Sequence, residues 1–256
     1  MRKTREYLGL LVGPLLRPWK WGKVPKAVLG AFLAEGGVSS VSKLSAEVLK
    51  LNNAKLAVSL VQASKTELSG SSSISGTLLS PQVEAKTNRA YGLEEVSLGR
   101  VEAQTLLSNG SLYVLQDAKV EGRVEAQGEL RLGGDLTTQR LQVKGLFKAQ
   151  NVRADSVEIL LGTGQSSAVS IEAKEVSVAQ DKSLSRRWMS GGAGTMEIDS
   201  LAADSVKIAG CKVITLKGGD VIVGENCDIV TLEFSGKLSL HNQSQVRNII
   251  DGTFKE

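Results

Sequence analysis

Between Val206 and Val246 one short pattern occurs three times, and it restricts the fold more than any other feature of the chain. The first copy reads Val206-x-Ile208-x-x-Cys211-x-Val213 and the second Val221-x-Val223-x-x-x-Cys227-x-Ile229. The third reads Leu238-x-Leu240-x-x-x-Ser244-x-Val246. Cys211-Lys-Val-Ile-Thr-Leu216 and Cys227-Asp-Ile-Val-Thr-Leu232 match almost residue for residue, sixteen apart. Each copy holds two very short alternating stretches of apolar, mostly β-branched residues, the mark of a strand with one buried face. Strands this short cannot hold a hairpin sheet together. Repeated at a fixed period, they can wind into coils that stack in parallel about 4.8 Å apart. The predicted fold is an all-β, single-stranded parallel β-helix, a solenoid whose turns touch only their neighbours.

The rest of the chain carries weaker forms of the same rhythm. Leu56-x-Val58-x-Leu60 alternates, and Leu68 to Leu78, rich in Ser and Gly, reads as poorly marked early coils. From Val101 a corner motif recurs, clearest in Val152-Arg-Ala154-Asp-Ser-Val157-Glu-Ile159. Ile171-Glu-Ala173-Lys-Glu-Val176-Ser-Val178 and Leu201-Ala-Ala203-Asp-Ser-Val206-Lys-Ile208 repeat it. One strand ends on a small Ala, two polar residues turn outside, and the next strand begins. Spacing drifts over about 16–19 residues per coil, as a solenoid with loops of variable length allows. Parallel connections within one sheet favour the right hand, so a right-handed coil is expected.

Four regions follow. Residues 1–36 form a basic amphipathic tail, short and helical or irregular; 37–55 read as a linker or short helix, with Val41, Leu44, Val48 and Leu51 at helical spacing. Residues 56–250 form the β-helix, and 251–256 a C-terminal tail. An insertion from Gln180 to Thr195 interrupts the rhythm. Its glycines lack the Gly-Lys-Ser/Thr ending of a phosphate loop. Arg186, Arg187 and Trp188 stand in it as candidates for a lateral contact, against a plain surface loop.

Charge is concentrated at one end. Residues 1–35 hold seven basic and two acidic side chains, +5 of the net +4, which leaves the remainder at −1. A neutral body disfavours nucleic acid as a partner. In the tail, Arg2, Lys3, Arg5, Arg17, Lys20 and Lys23 accompany Leu8, Leu11, Leu15, Trp19 and Trp21. Indole and aliphatic groups beside cations suit the headgroup layer of an anionic membrane. Each basic group there contributes on the order of 1 kcal/mol. The apolar runs fall far short of the roughly 20 residues of a spanning helix. Two other readings of the tail stand. It caps the coil, or it is a cleaved signal peptide, against which Pro14, Arg17 and the lack of a small-x-small site count.

Catalysis finds little support, and no enzyme activity is expected. A single His, His241, makes no Ser-His-Asp or Cys-His set and, with two cysteines, no convincing metal site. Acidic residues such as Glu121, Glu125, Asp155 and Glu158 are interleaved with Lys and Arg, as on a solvated face. Cys211 and Cys227, one coil apart at equivalent positions, would have Cα atoms about 4.8 Å apart, within disulfide range. In a cytoplasm they are expected as reduced core residues. No cofactor is expected.

From Ile171 onward the residues resemble the bactofilins, the polymer-forming cytoskeletal proteins of bacteria, and most their Gram-positive-type branch. The carriers are Ile171-Glu-Ala-Lys-Glu-Val176, the Gly-rich insertion, Ala203-Asp-Ser-Val-Lys-Ile208 and above all the run from Gly219 through Cys227 and Phe234 to Gly236. The resemblance implies a right-handed β-helix whose ends stack into filaments without nucleotide, and attachment to the membrane by an N-terminal tail. It implies a cytoplasmic protein peripheral to the inner face of the cell membrane, with itself, an anionic membrane surface and envelope or morphogenesis proteins as partners.

The residues themselves point to self-association independently. A β-helix ends in open strand edges that offer unpaired backbone groups to another molecule. Leu238, Leu240, Ile249, Ile250 and Phe254 are the candidates for that end-to-end contact, unless Ile249–Phe254 folds back as a cap. The alternative from another class is an exported β-helix that binds or cleaves polysaccharide. The scarcity of aromatic platforms in the body, where Phe147 is expected inside, counts against it.

Overall fold

A computed structural model describes residues 27–87, 94–181 and 194–252. Among them every regular element is a β-strand, and the architecture is a parallel β-solenoid. The elements are β1 (Ala27–Ser69), β2 (Ser73–Leu79), β3 (Gln82–Lys86), β4 (Val96–Val114), β5 (Ala118–Leu132), β6 (Leu136–Arg153), β7 (Ser156–Leu161), β8 (Gln165–Gln180), β9 (Thr195–Ile208), β10 (Cys211–Val223), β11 (Asp228–Phe234), β12 (Leu238–Leu240) and β13 (Gln245–Asp251). The chain divides into two compact units, Met1–Gly122 and Arg123–Glu256.

In the first unit the strand order is β4-β2-β1-β3, with β3 also paired to β4. Val61 pairs with Leu78 and Leu68 with Ala85, seventeen residues on in both cases. β1 is long because it bends round corners without losing its ladder. Lys50 Nζ reaches Glu67 at 2.7 Å, and Asn52 donates to Glu35 at 3.4 Å, again one coil apart. Inside lie Leu44, Leu49, Leu51, Leu56, Val61, Leu68, Ile74 and Leu78, all nearly inaccessible. Two inward polar groups are satisfied locally. Thr66 Oγ1 donates to Ser80 Oγ at 3.0 Å, and Ser80 in turn donates to the Gln82 carbonyl at 2.9 Å. Burial without such partners would cost about 1–3 kcal/mol per group.

The expected boundary at Leu56 is corrected here. Strand begins at Ala27, and residues 37–55 are coil, not linker or helix. The buried set Leu44, Ala46, Leu49, Leu51, Ala54 and Leu56 advances by two along a strand and by three across a corner. The helical spacing of Leu44, Val48 and Leu51 arises from including Val48, which is only half-buried and lies outside that set. No helical N-terminal segment occurs among the described residues.

In the second unit the order is β13-β11-β10-β9-β8-β7-β6-β5, with β12 on β10 and a further β8–β6 pairing. The three copies of the C-terminal pattern fall on one another: Val206↔Val221↔Leu238, Ile208↔Val223↔Leu240 and Val213↔Ile229↔Val246. The corner motif also holds. Ala154, Ala173 and Ala203 are half-buried where the chain turns, while Asp155, Lys174 and Asp204 point outward. Phe147 is fully buried, as its place in the pattern predicts.

Coil length varies while register does not. Leu141↔Val157 is sixteen residues, Val157↔Val176 nineteen, Val176↔Val206 thirty and Val206↔Val221 fifteen. The thirty-residue coil holds the insertion expected between Gln180 and Thr195, where β8 ends and β9 begins. A second enlargement, between Val83 and its partner Leu106, has no counterpart in the sequence reading. One corner demands glycine. Gly145 has φ +137°, and a Cβ there would lie 1.9 Å from the Gly128 carbonyl oxygen. The rungs can approach this closely only without side chains.

Candidate functional site at the C-terminal rung

Each inward ladder of the second unit runs from a sealed interior to an open end. Leu201, Leu216 and Leu232 are each 0% exposed, and the next member, Ile249, is 50% exposed. On another face Ile208 and Val223 are buried, and Leu240 above them is 43% exposed. Leu238 and Val246 close the remaining ladders half-buried. Chain pattern directs these residues inward, and exposure follows because no further described rung covers them. In a finished soluble surface such positions would carry polar side chains.

The backbone is equally one-sided. Among the described residues β13 pairs only with β11, and β12 only with β10. The hydrogen bonds that seat the last coil all run back to the coil before it. Gln245 N–H donates to the Cys227 carbonyl at 2.9 Å, His241 N–H to Val223 at 2.9 Å and Gly252 N–H to Phe234 at 2.7 Å. Asp220 Oδ1 accepts from Lys237 N–H at 2.8 Å and fixes the turn into β12. Nothing among the described residues pairs with the outer edge of β13, which lies beside Leu240, Ile249 and Ile250, all large and exposed. Ile249 thus belongs to the last described rung, in register on Leu232, and the fold-back that would have made Ile249–Phe254 a cap does not begin at β13.

Directly beneath this end sit the two cysteines. Met196 pairs with Cys211, and the adjoining pairs Lys212↔Asp228 and Asp228↔Gln245 set Cys227 and Ser244 above them. Both thiols are free and buried. Ser244 Oγ accepts from Cys227 N–H at 3.2 Å and donates to the Gly224 carbonyl. Hydrogen bonding from the Cys211 thiol lowers the Cys227 pKa to about 7 despite burial. The same contact, with deep burial, pushes the Cys211 thiol well up.

Of the other candidate residues, Arg2 to Lys23 of the membrane-contact set, Arg186, Arg187 and Trp188 of the lateral set, and Phe254 lie outside the described residues. Among the described residues no group of acidic, His and Cys side chains is placed to hold a metal ion, and no helix is long and apolar enough to cross a membrane. The sides of the coil carry ion pairs between rungs. Glu67 is held between Lys50 at 2.7 Å and Lys65 at 2.9 Å, and Lys174 meets Asp155 at 2.8 Å and Lys217 Glu233 at 2.8 Å.

The sequence reading missed a groove on the first unit, about 470 Å3 in volume, lined by Ser45, Gln62, Ser80, Glu102, Gln104 and Lys119 among others. Small inward residues, Ala46, Ala63 and Ala103, let the surface sink there. Its lining includes no aromatic ring on which a sugar could stack. Two exposed isoleucines on β10, Ile214 and Ile222, were missed as well, since one-sided alternation marks only the inward face. No family model, curated protein or solved structure matches the chain.

Proposed function

We propose that this chain is a structural scaffold of the bactofilin type, which assembles end to end into filaments without nucleotide. The observation that supports it is the unfinished rung: Ile249 stacks in register on fully buried Leu232 yet is half-exposed, on a strand whose outer edge pairs with nothing described. A second copy laid over this rung continues both the apolar ladders and the backbone ladder, the mode by which exposed strand edges recruit partners. Covering an aliphatic side chain fully contributes about 1.5–3 kcal/mol, so several half-covered ones at one end supply a useful share of a contact.

The basic, Trp-containing tail would hold such filaments at the inner face of the cell membrane, as a cytoplasmic, peripheral protein. Support for that part is the composition of residues 1–26, with Trp19 and Trp21 among Arg17, Lys20 and Lys23. Because β1 starts at Ala27, these residues can be removed without cutting the coil.

Negative-stain electron microscopy of the purified chain, full length and cut before Ala27, with and without anionic liposomes, tests both parts. Filaments from both forms in the absence of nucleotide, with only the full-length form coating liposomes, are expected. Ile249→Asp together with Leu240→Asp is expected to leave single particles. Unassembled wild-type particles at high concentration would end the scaffold reading, and equal liposome coating by both forms would end the role given to the tail.

A further inference from the structure

Cys211 and Cys227 are the only cysteines of the chain and occupy successive rungs of one inward ladder. Nothing in the packing requires sulfur there. Ser244 above fills the same column with a hydroxyl in place of a thiol. Register places their Cα atoms about 4.8 Å apart, inside the roughly 4.4–6.8 Å that a disulfide spans. Both side chains are sealed in that column, Cys211 at 0% and Cys227 at 3% exposure. The Cys227 sulfur also lies 3.6 Å from the Ile208 carbonyl, and the Cys211 sulfur 3.5 Å from that of Ala209.

The two differ in what covers them. Cys211 lies under Cys227, one rung deeper. Among the described residues Cys227 lies only under the coil that ends in β13, a strand with one neighbour and almost wholly exposed side chains. Such terminal units open locally at low free energy, and a small neutral oxidant then reaches Cys227 before Cys211.

We propose that Cys211 and Cys227 form a peroxide-reactive dithiol, in which Cys227 is the attacking sulfur, Cys211 the resolving one, and the product a disulfide that staples β10 to β11. In the first step the Cys227 thiolate attacks one oxygen of hydrogen peroxide. An S–O bond forms, the O–O bond breaks, and hydroxide leaves with the bonding pair. In the second, the Cys211 sulfur attacks the Cys227 sulfenic acid. The S–S bond forms, the S–O bond breaks, and water leaves with the Cys211 proton. Two electrons pass from the thiols to the peroxide, and the hydroxide of the first step takes up the proton that Cys227 released on ionising. A thiolate favoured by its surroundings is what the first step needs, and an adjacent second thiol is what the ladder supplies for the second. The inference concerns the chain before any end-to-end assembly, when nothing described covers the coil above Cys227.

The test uses full-length protein, dilute enough to be unassembled, exposed to hydrogen peroxide, then unfolded, alkylated and mapped by mass spectrometry. The expected product is an intramolecular Cys211–Cys227 link, formed faster in folded protein than in protein unfolded with urea beforehand. In Cys211→Ala a dione probe is expected to label sulfenic acid at Cys227. In Cys227→Ala labelling at Cys211 is expected to fall by at least about tenfold. Thiols that stay free in folded protein, a link that forms no faster than in the unfolded chain, or links between chains only would each overturn the proposal. So would preferential labelling of Cys211. The wild-type comparison decides the matter even if a variant folds poorly.

Discussion

Truncating one ladder at two heights gives a direct measure of how open the C-terminal rung is. Leu232 and Ile249 stack on each other, the former 0% exposed and the latter 50% exposed. Leu232→Ala removes methyl groups from a sealed interior and leaves a cavity, which costs about 2–5 kcal/mol. For Ile249→Ala only half of the side chain is covered. With full burial contributing about 1.5–3 kcal/mol, and little cavity possible at an open face, the loss is about 1 kcal/mol. Solenoids open rung by rung, so a global melting curve would blur the two. Hydrogen exchange of the β10 and β11 amides, measured on dilute protein cut before Ala27, resolves them. Since about 1.4 kcal/mol is tenfold, protection should fall roughly thirtyfold or more for Leu232→Ala and about fivefold for Ile249→Ala. Equal losses would mean that something within one chain seals Ile249 as tightly as Leu232, and the reasoning that makes this end a contact surface would fail.

Four further outcomes are expected. Gly145→Ala, whose Cβ would meet the Gly128 carbonyl oxygen at 1.9 Å, should cost about 2–4 kcal/mol in urea unfolding. Gly36→Ala, at φ +63° with open space around it, should cost only about 1 kcal/mol. The Lys50 and Lys65 ammonium groups hold the Glu67 carboxyl below its ordinary range, so its contribution is present above the unfolded-state value and lost as pH falls through the folded one. Because the site is partly exposed, Glu67→Gln should cost less than about 1 kcal/mol at neutral pH, and the difference should vanish once pH falls below the lowered folded-state value. Phe147→Ala should cost about 3–5 kcal/mol, read by the same urea midpoint.

What could be read in advance was whatever repeats along the chain. Val206, Val221 and Leu238 announce their stacking because equivalent rungs need equivalent side chains. The Ala-Asp-Ser corner announces itself for the same reason, since a tight outward turn admits few residues. Leu238, Leu240 and Ile249 were recognisable as inward-pattern residues close to the chain terminus, and the structure leaves Leu240 and Ile249 exposed and Leu238 half-buried. Residues 37–55 misled because two strand steps and one corner step set Leu44 and Leu51 seven residues apart, and half-buried Val48 between them completes a helical spacing. The groove stayed hidden for a different reason. Ser45, Gln62, Glu102 and Lys119 form one column only after the enlarged coil before Leu106 is counted in, and no local pattern shows where that enlargement lies.

The thirty-residue coil has a bearing beyond its own neighbourhood. From Gln165↔Thr195 to Val178↔Ile208 the strands on either side of the insertion pair as though no extra chain lay between them. The corner between β8 and β9 behaves as an expansion joint, where sequence length and ladder alignment are uncoupled. Evolution or an engineer can therefore lengthen the polypeptide there and change what the flank displays, while the hydrophobic interior keeps its count. A fluorescent protein or affinity tag spliced between Gln180 and Thr195 would inherit that freedom. The same cargo placed within β10 would shift every rung after it.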